Sequence, residues 1–183
     1  MIRMGMYKGK LMKTEPVYGE AEGQIIEMWA TFEVEGYEIE VFLDNFYVVP
    51  RKDLLEGVGK DFNLNLVLMA YDILRINIEE KMLKQITKYP GEDKYGRAWP
   101  SIPIYFIMGE IKEVERIKKE WRGREIETYR ILVDCGLIVE TEVRVDKIDE
   151  LYRGDYVVII GKMFGEIVKE GDVDALPEEE KYE

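Results

Sequence analysis

No histidine occurs among the 183 residues, and cysteine occurs once, at Cys135. Without histidine and with one thiol, a single chain cannot build a zinc site of the usual kind. Ser-His and Cys-His catalytic pairs are excluded for the same reason. One cysteine cannot form an internal disulfide, which fits a reducing compartment. No stretch approaches the ~20 apolar residues of a membrane span, and the N-terminal Met-Ile-Arg-Met-Gly-Met-Tyr-Lys has no apolar run behind it. No Gly-x-x-x-x-Gly-Lys-[Ser/Thr] or Gly-x-Gly-x-x-Gly motif is present, and Gly57-Val58-Gly59-Lys60 is too short to cradle a nucleotide phosphate. These absences lead to the expectation of a cytoplasmic protein with no membrane segment, catalytic residue, metal site or cofactor, and hence not an enzyme.

Acid and apolar residues are what the chain has in quantity. Its formal net charge is -12, and 46% of residues are hydrophobic. A globally negative chain repels phosphate backbones at long range. Half of that charge sits in the last fourteen residues, where Glu170–Glu183 carries seven acidic residues and one lysine. Asp172, Asp174 and Glu178–Glu180 lack the spacing of a calcium loop and read as a solubilising tail. Abundant Glu, Lys and Ile resemble the composition of a hyperthermophile protein.

Most of the chain alternates with period two or carries short β-branched runs, which predicts strands. Gln24–Val34 and Tyr37–Leu43 read as a hairpin turning at Glu35-Gly36. Asp53–Gly57 reads as one helical turn or a tight loop, and Leu64–Ile73 as a buried strand. Asn77–Lys88 predicts a helix, capped by Asn77 and stopped at Tyr89-Pro90-Gly91. Pro90–Pro103 predicts a linker, with Tyr95, Trp99 and Tyr105 around it. Strands are expected again at Ile104–Ile117, Glu125–Asp134, Leu137–Val145, Tyr156–Ile160 and Met163–Lys169. Asp146–Tyr152 predicts a short helix. The expected division is a first β-barrel-like half with a C-terminal helix (1–89), a linker (90–103), a second half (104–169) and the acidic tail (170–183).

A repeat connects the two halves. Gly23-Gln24-Ile25-Ile26-Glu27 is followed 13 residues after Gly23 by Gly36-Tyr37-Glu38-Ile39-Glu40; Gly109-Glu110-Ile111-Lys112-Glu113 is followed 14 residues after Gly109 by Gly123-Arg124-Glu125-Ile126-Glu127. The second half reads strand, strand, strand, short helix, strand, strand. Its stretch Leu151-Tyr152-Arg153-Gly154-Asp155 followed by Tyr156–Ile160 resembles the passage into the fourth strand of OB-fold domains, five-stranded Greek-key barrels. The resemblance covers Ile104–Lys169 and, more loosely, the first half. It implies a mainly β protein of two OB-like small barrels with one short helix between them.

The sharpest local feature is Arg116-Ile117-Lys118-Lys119-Glu120-Trp121-Arg122-Gly123-Arg124, five cations around one tryptophan at a predicted hairpin tip. Lys118, Lys119, Trp121, Arg122 and Arg124 are the candidate binding residues. OB folds bind single strands through such a loop, where cations meet phosphates and a ring stacks on a base. The bland alternative is a charged hairpin tip that discourages strand-to-strand aggregation. The expected function is a non-catalytic binding protein: a single-stranded nucleic-acid-binding module in one reading, a protein-interaction or assembly subunit in the other.

Overall fold

In the computed structural model, residues 6–76, 83–89 and 103–169 are described. The protein is mainly β, with nine strands, one short helix and two 3-10 turns among these residues. The chain divides into two compact units, one made of residues 1–65 and 165–183, the other of 66–164.

Unit one contains β1 (Met6–Tyr18), β2 (Ile25–Val34) and β3 (Tyr37–Leu43), the helix α1 (Arg51–Leu55), and part of two long strands. These are the start of β4 (Asp61–Arg75) and the end of β9 (Tyr156–Ile167). β1 pairs antiparallel with both β2 and β4, and β2 with β3. β9 lies between β3 and β4, closing a five-stranded ring in the order β1-β2-β3-β9-β4. The closing contacts are the Asp44 amide donating to the Gly165 carbonyl (3.1 Å) and the Val168 amide donating to that of Asn63 (2.9 Å). Asn45 ties the end of β9 by both ends of its amide: Nδ2 donates to Ile167 O (2.8 Å) and Oδ1 accepts from Ile167 N (2.7 Å). Alternate side chains fill the ring, among them Leu11, Phe32, Val41 and Leu64, all fully buried.

Unit two contains the rest of β4, β5 (Gln85–Lys88), β6 (Ile104–Trp121), β7 (Arg124–Asp134), β8 (Ile138–Arg144) and the start of β9. Its ring runs β6-β7-β8-β4-β9 and back to β6, with β4 parallel to β8 and the pairs β6–β7, β7–β8 and β6–β9 antiparallel. Ile107, Ile131, Val139 and Ile159 are among its fully buried residues. Both rings have the five-stranded, Greek-key order of an OB-like barrel.

The two units repeat the same local devices. Gly9 in β1 corresponds to Gly109 in β6, and each is followed by a β-bulge, between Leu11 and Lys13 and between Ile111 and Glu113. Leu11 N donates to Lys60 O (2.9 Å) while Gly59 N donates to Leu11 O (2.8 Å). In the second unit Ile111 N donates to Asp155 O (2.8 Å) and Gly154 N to Ile111 O (2.8 Å). Gly59 and Gly154 both have positive φ, 91° and 95°.

This correspondence corrects the repeat read from the sequence. Gly36 opens β3, the third strand of its unit, whereas Gly123 opens β7, the second of its own. The positional counterpart of Glu35-Gly36 is Cys135-Gly136. Similar hairpin chemistry at different points of the ring produced the false match: Glu35-Gly36 and Arg122-Gly123 are both two-residue turns with positive φ at both positions.

Other expectations also change. Gln85–Lys88, the end of the expected Asn77–Lys88 helix, is strand β5, paired with Tyr105–Met108 of β6; the backbone of β6 there offers a ladder that outweighs a local helical preference. Residues 77–82, with the Asn77 cap, lie outside the described residues, as do the body of the linker with Tyr95 and Trp99 and the acidic tail. Tyr105 is buried inside unit two. Asp146–Tyr152 forms no helix: Val145–Lys147 makes one 3-10 turn, Asp146 pairs with Arg144 (3.0 Å) instead of capping, and Ile148 is extended. Tyr156–Ile160 and the expected strand from Met163 are one strand, β9, which ends at Ile167. Gly161 is no break, because a Cβ there would crowd the Met69 carbonyl, with the carbonyl carbon 2.9 Å away. β1 carries a strand where none was expected.

Cys135 sits at the β7–β8 turn, buried, with Sγ donating to the Leu137 carbonyl (3.3 Å). Burial pushes its thiol pKa up to about 12, so the thiolate is scarce at neutral pH. Ellman's reagent is expected to leave it unmodified in the native protein and to titrate one thiol in denaturant. Rapid native labelling at pH 8 would contradict the buried placement.

Candidate functional site

The basic hairpin forms as the sequence suggests, with Trp121 directly opposite Arg124 and the turn at Arg122-Gly123. The structure does not gather its cations on one surface. Lys118 and Lys119 are consecutive strand residues and therefore point to opposite faces. Lys118 lies opposite Glu127 in register and within 3.8 Å of Glu125. Lys119 pairs with Glu142 of β8, whose carboxylate also accepts from the Thr128 hydroxyl (3.1 Å). Arg116 forms two 2.8 Å hydrogen bonds to Glu127. Those bonds hold the Glu127 carboxyl below its ordinary pKa and raise that of Arg116. Trp121 is 54% exposed, and the Arg122 guanidinium stacks over it with Cζ 4.6 Å from the ring centre. The ring face a base would use is thus shared with a neighbour.

A different set of side chains converges at one end of unit two. A cleft of about 660 Å³ is lined by Lys112, Arg116, Tyr129, Glu150, Tyr152 and Arg153, with Glu113, Val114 and Leu151 completing its wall. The local fold places them there. The bulge after Ile111 turns Lys112 out of the regular alternation. Past the bulge, Val114 faces Ile131 and Arg116 faces Tyr129 across the β6–β7 ladder. The opposite wall is Glu150–Arg153, shaped by a tight turn in which the Tyr152 amide donates to Asp155 Oδ2 (2.9 Å). Arg75 braces that wall from β4, donating to the Glu150 carbonyl and lying 3.3 Å from Asp155.

Inside the cleft Arg116 Cζ sits 5.6 Å from the Tyr129 ring centre. Lys112 Nζ is 3.0 Å from Glu110. The Tyr152 hydroxyl donates to Glu150, and this hydrogen bond, helped by the carboxylate's charge, raises the phenol's pKa. Tyr152 is 60% exposed. Arg153 makes no ion pair among the described residues. The Tyr152 ring and the Arg153 guanidinium can therefore meet a ligand small enough to enter, while Tyr129 is buried with Arg116 over its ring.

Of the cleft residues, only Arg116 lies in the basic stretch that the sequence singles out. Tyr152 and Arg153 belong to Leu151–Asp155, the stretch that carries the OB resemblance, where they stand as fold signals. Lys112 is an isolated cation in a strand, and its role depends on a bulge. Among the described residues no group of three or more Cys, Asp or Glu could hold a metal ion, and no helix is long and apolar enough to cross a membrane.

No protein-family model and no curated protein matches the chain. Among solved structures, the cytoplasmic molybdate-binding protein ModG, with molybdate bound, aligns with 87% of this chain and 93% of that one, at 11% identity and a TM-score of 0.37. A likeness at that level assigns no ligand to this chain. The single-stranded nucleic-acid reading is corrected by the hairpin itself: Lys118 and Lys119 lie on opposite faces, each beside a glutamate, and Arg122 covers a face of the Trp121 ring.

Proposed function

We propose that this protein is a non-catalytic binding protein for a small polar molecule, held in the cleft between the β6–β7 ladder and Glu150–Arg153. The observation that carries the reading is the convergence of Lys112, Arg116 and Arg153 with Tyr129 and Tyr152 around a cleft of about 660 Å³. That volume suits a small molecule. A cytoplasmic setting fits the single, buried cysteine. The non-catalytic reading rests on the residue types present: the chain has no histidine, and its one cysteine is buried.

The test is a thermal-shift screen of the full chain against small anions, amines and neutral polar compounds. A ligand that binds only the folded state stabilises it by about 2.7 kcal/mol at a hundred times its Kd. For a chain of this size that raises Tm by roughly 5–11 °C. The hit is expected to lose its shift in the Tyr152→Ala/Arg153→Ala double variant. A hit whose shift survives that variant would place the site elsewhere.

A further inference from the structure

The positions that form the cleft in unit two have counterparts in unit one, and their chemistry differs throughout. The matched bulges set Met12 against Lys112. The ladders set Pro16, opposite Met28, against Arg116, opposite Tyr129. The matched glycines Gly59 and Gly154 set Gly57 and Val58 against Tyr152 and Arg153. Every cation and every ring of the cleft is thus replaced in unit one by an apolar residue or glycine. Met12 and Val58 are exposed there, and the charges at the matching place are Lys13, paired with Glu15, and Glu56.

In the cleft itself three cations line the wall with Glu113 and Glu150, and two of the cations carry a carboxylate partner of their own. Arg116 is held by Glu127 and Lys112 by Glu110, which leaves Arg153 as the cation able to turn to a ligand. Tyr152 beside it offers an exposed ring. A guanidinium adjacent to an open aromatic face matches a planar ring bearing a carboxylate or phosphate: the ring stacks and the anion takes charge-assisted N–H bonds.

Resting on the cleft reading above, we infer that the chain binds one aromatic anion, in unit two alone, and that Arg153 is the residue that selects for the negative charge. Unit one keeps the barrel without these three cations and two rings at the matching place. The sequence motif Leu151–Asp155 then serves two ends, with Gly154 and Asp155 shaping the turn and Tyr152 and Arg153 meeting the ligand.

The experiment titrates the full, isotopically labelled chain with phenyl phosphate, benzoate, phenol and inorganic phosphate, followed by amide NMR shifts. Phenyl phosphate or benzoate is expected to saturate at one equivalent, moving amides of Lys112–Arg116 and Glu150–Arg153 and leaving those of Met12–Pro16 and Gly57–Val58 in place. Arg153→Gln is expected to weaken the anion about tenfold, the value of one solvent-exposed charge-assisted contact, and to leave phenol unchanged. Equal affinity for phenol and phenyl phosphate, or an Arg153→Gln variant with unaltered affinity, would overturn anion selection while leaving the cleft as the site. A second equivalent with shifts in Met12–Pro16 would overturn the single-site inference alone. Shifts that avoid both regions for every probe would overturn the cleft reading with it.

Discussion

Replacing Gly109 by alanine is expected to destabilise the protein by about 3 kcal/mol, the upper end of what overpacking costs. At 2–4 °C per kcal/mol for a chain of this size, Tm falls by roughly 6–12 °C. The added Cβ would collide with the Asp134 carbonyl, whose carbon would lie 2.6 Å from it, and with Cys135 Cα at 2.9 Å. All of these obstacles are backbone, so no side chain can rotate away. Gly109 also stands where β6 changes neighbours: along one edge β5 pairs with Tyr105–Met108 and β7 from Glu110 onward, while β9 covers Ile104–Glu110 on the other. A shift there disturbs two ladders. Gly36→Ala is the informative control. Its Cβ would meet nothing within 4 Å, and only the positive φ of 82° opposes it, at about 1–2 kcal/mol. Chemical denaturation of both variants checks the ranking, and Gly109→Ala as stable as Gly36→Ala would refute the close approach.

Residues 1–89 expressed alone are expected not to fold cooperatively, a loss of essentially all stability. The fragment retains β1, β2, β3 and β4 but lacks the end of β9 that stands between β3 and β4 in the ring of unit one. Without it Asn45 loses both bonds to Ile167, and the β3 and β4 edges are open. The fragment also exposes the part of β4 that belongs to unit two, where Leu66, Leu68 and Ile73 are buried in the full chain. Circular dichroism during urea titration is the measurement. The fragment is expected to show a broad, probe-dependent change and a tendency to aggregate. A sharp two-state transition in 1–89 would show that unit one closes without β9.

The strands were legible where alternation was clean. Tyr37–Leu43 and Glu125–Asp134 are found almost as the pattern places them, because one face of each is buried and the other solvated. The turns Glu35-Gly36 and Arg122-Gly123 were legible because few residue pairs accept positive φ at both positions. Local reading failed where a distant partner decided. Gln85–Lys88 is a strand because β6 is there to pair with it. Gly161 looked like punctuation, and the approach of Met69 makes it a requirement of a continuous strand.

The candidate site divides in the same way. The basic stretch drew notice by composition, yet Glu127, Glu125 and Glu142 take up three of its five cations from neighbouring strands. Lys112, Tyr129 and Tyr152 carry no signature in the chain. A bulge, a ladder register and a tight turn bring residues some forty positions apart around one cleft.

By itself, then, the amino-acid sequence determined that this is an acidic, mainly β protein of two barrel-like halves without histidine or disulfide chemistry, because composition and period-two burial are local properties. Only the tertiary structure decided which strands close each ring, which glycines are sterically required, and where unpaired charge meets an exposed ring. Those depend on contacts between residues far apart in the chain, and one-dimensional order does not record them.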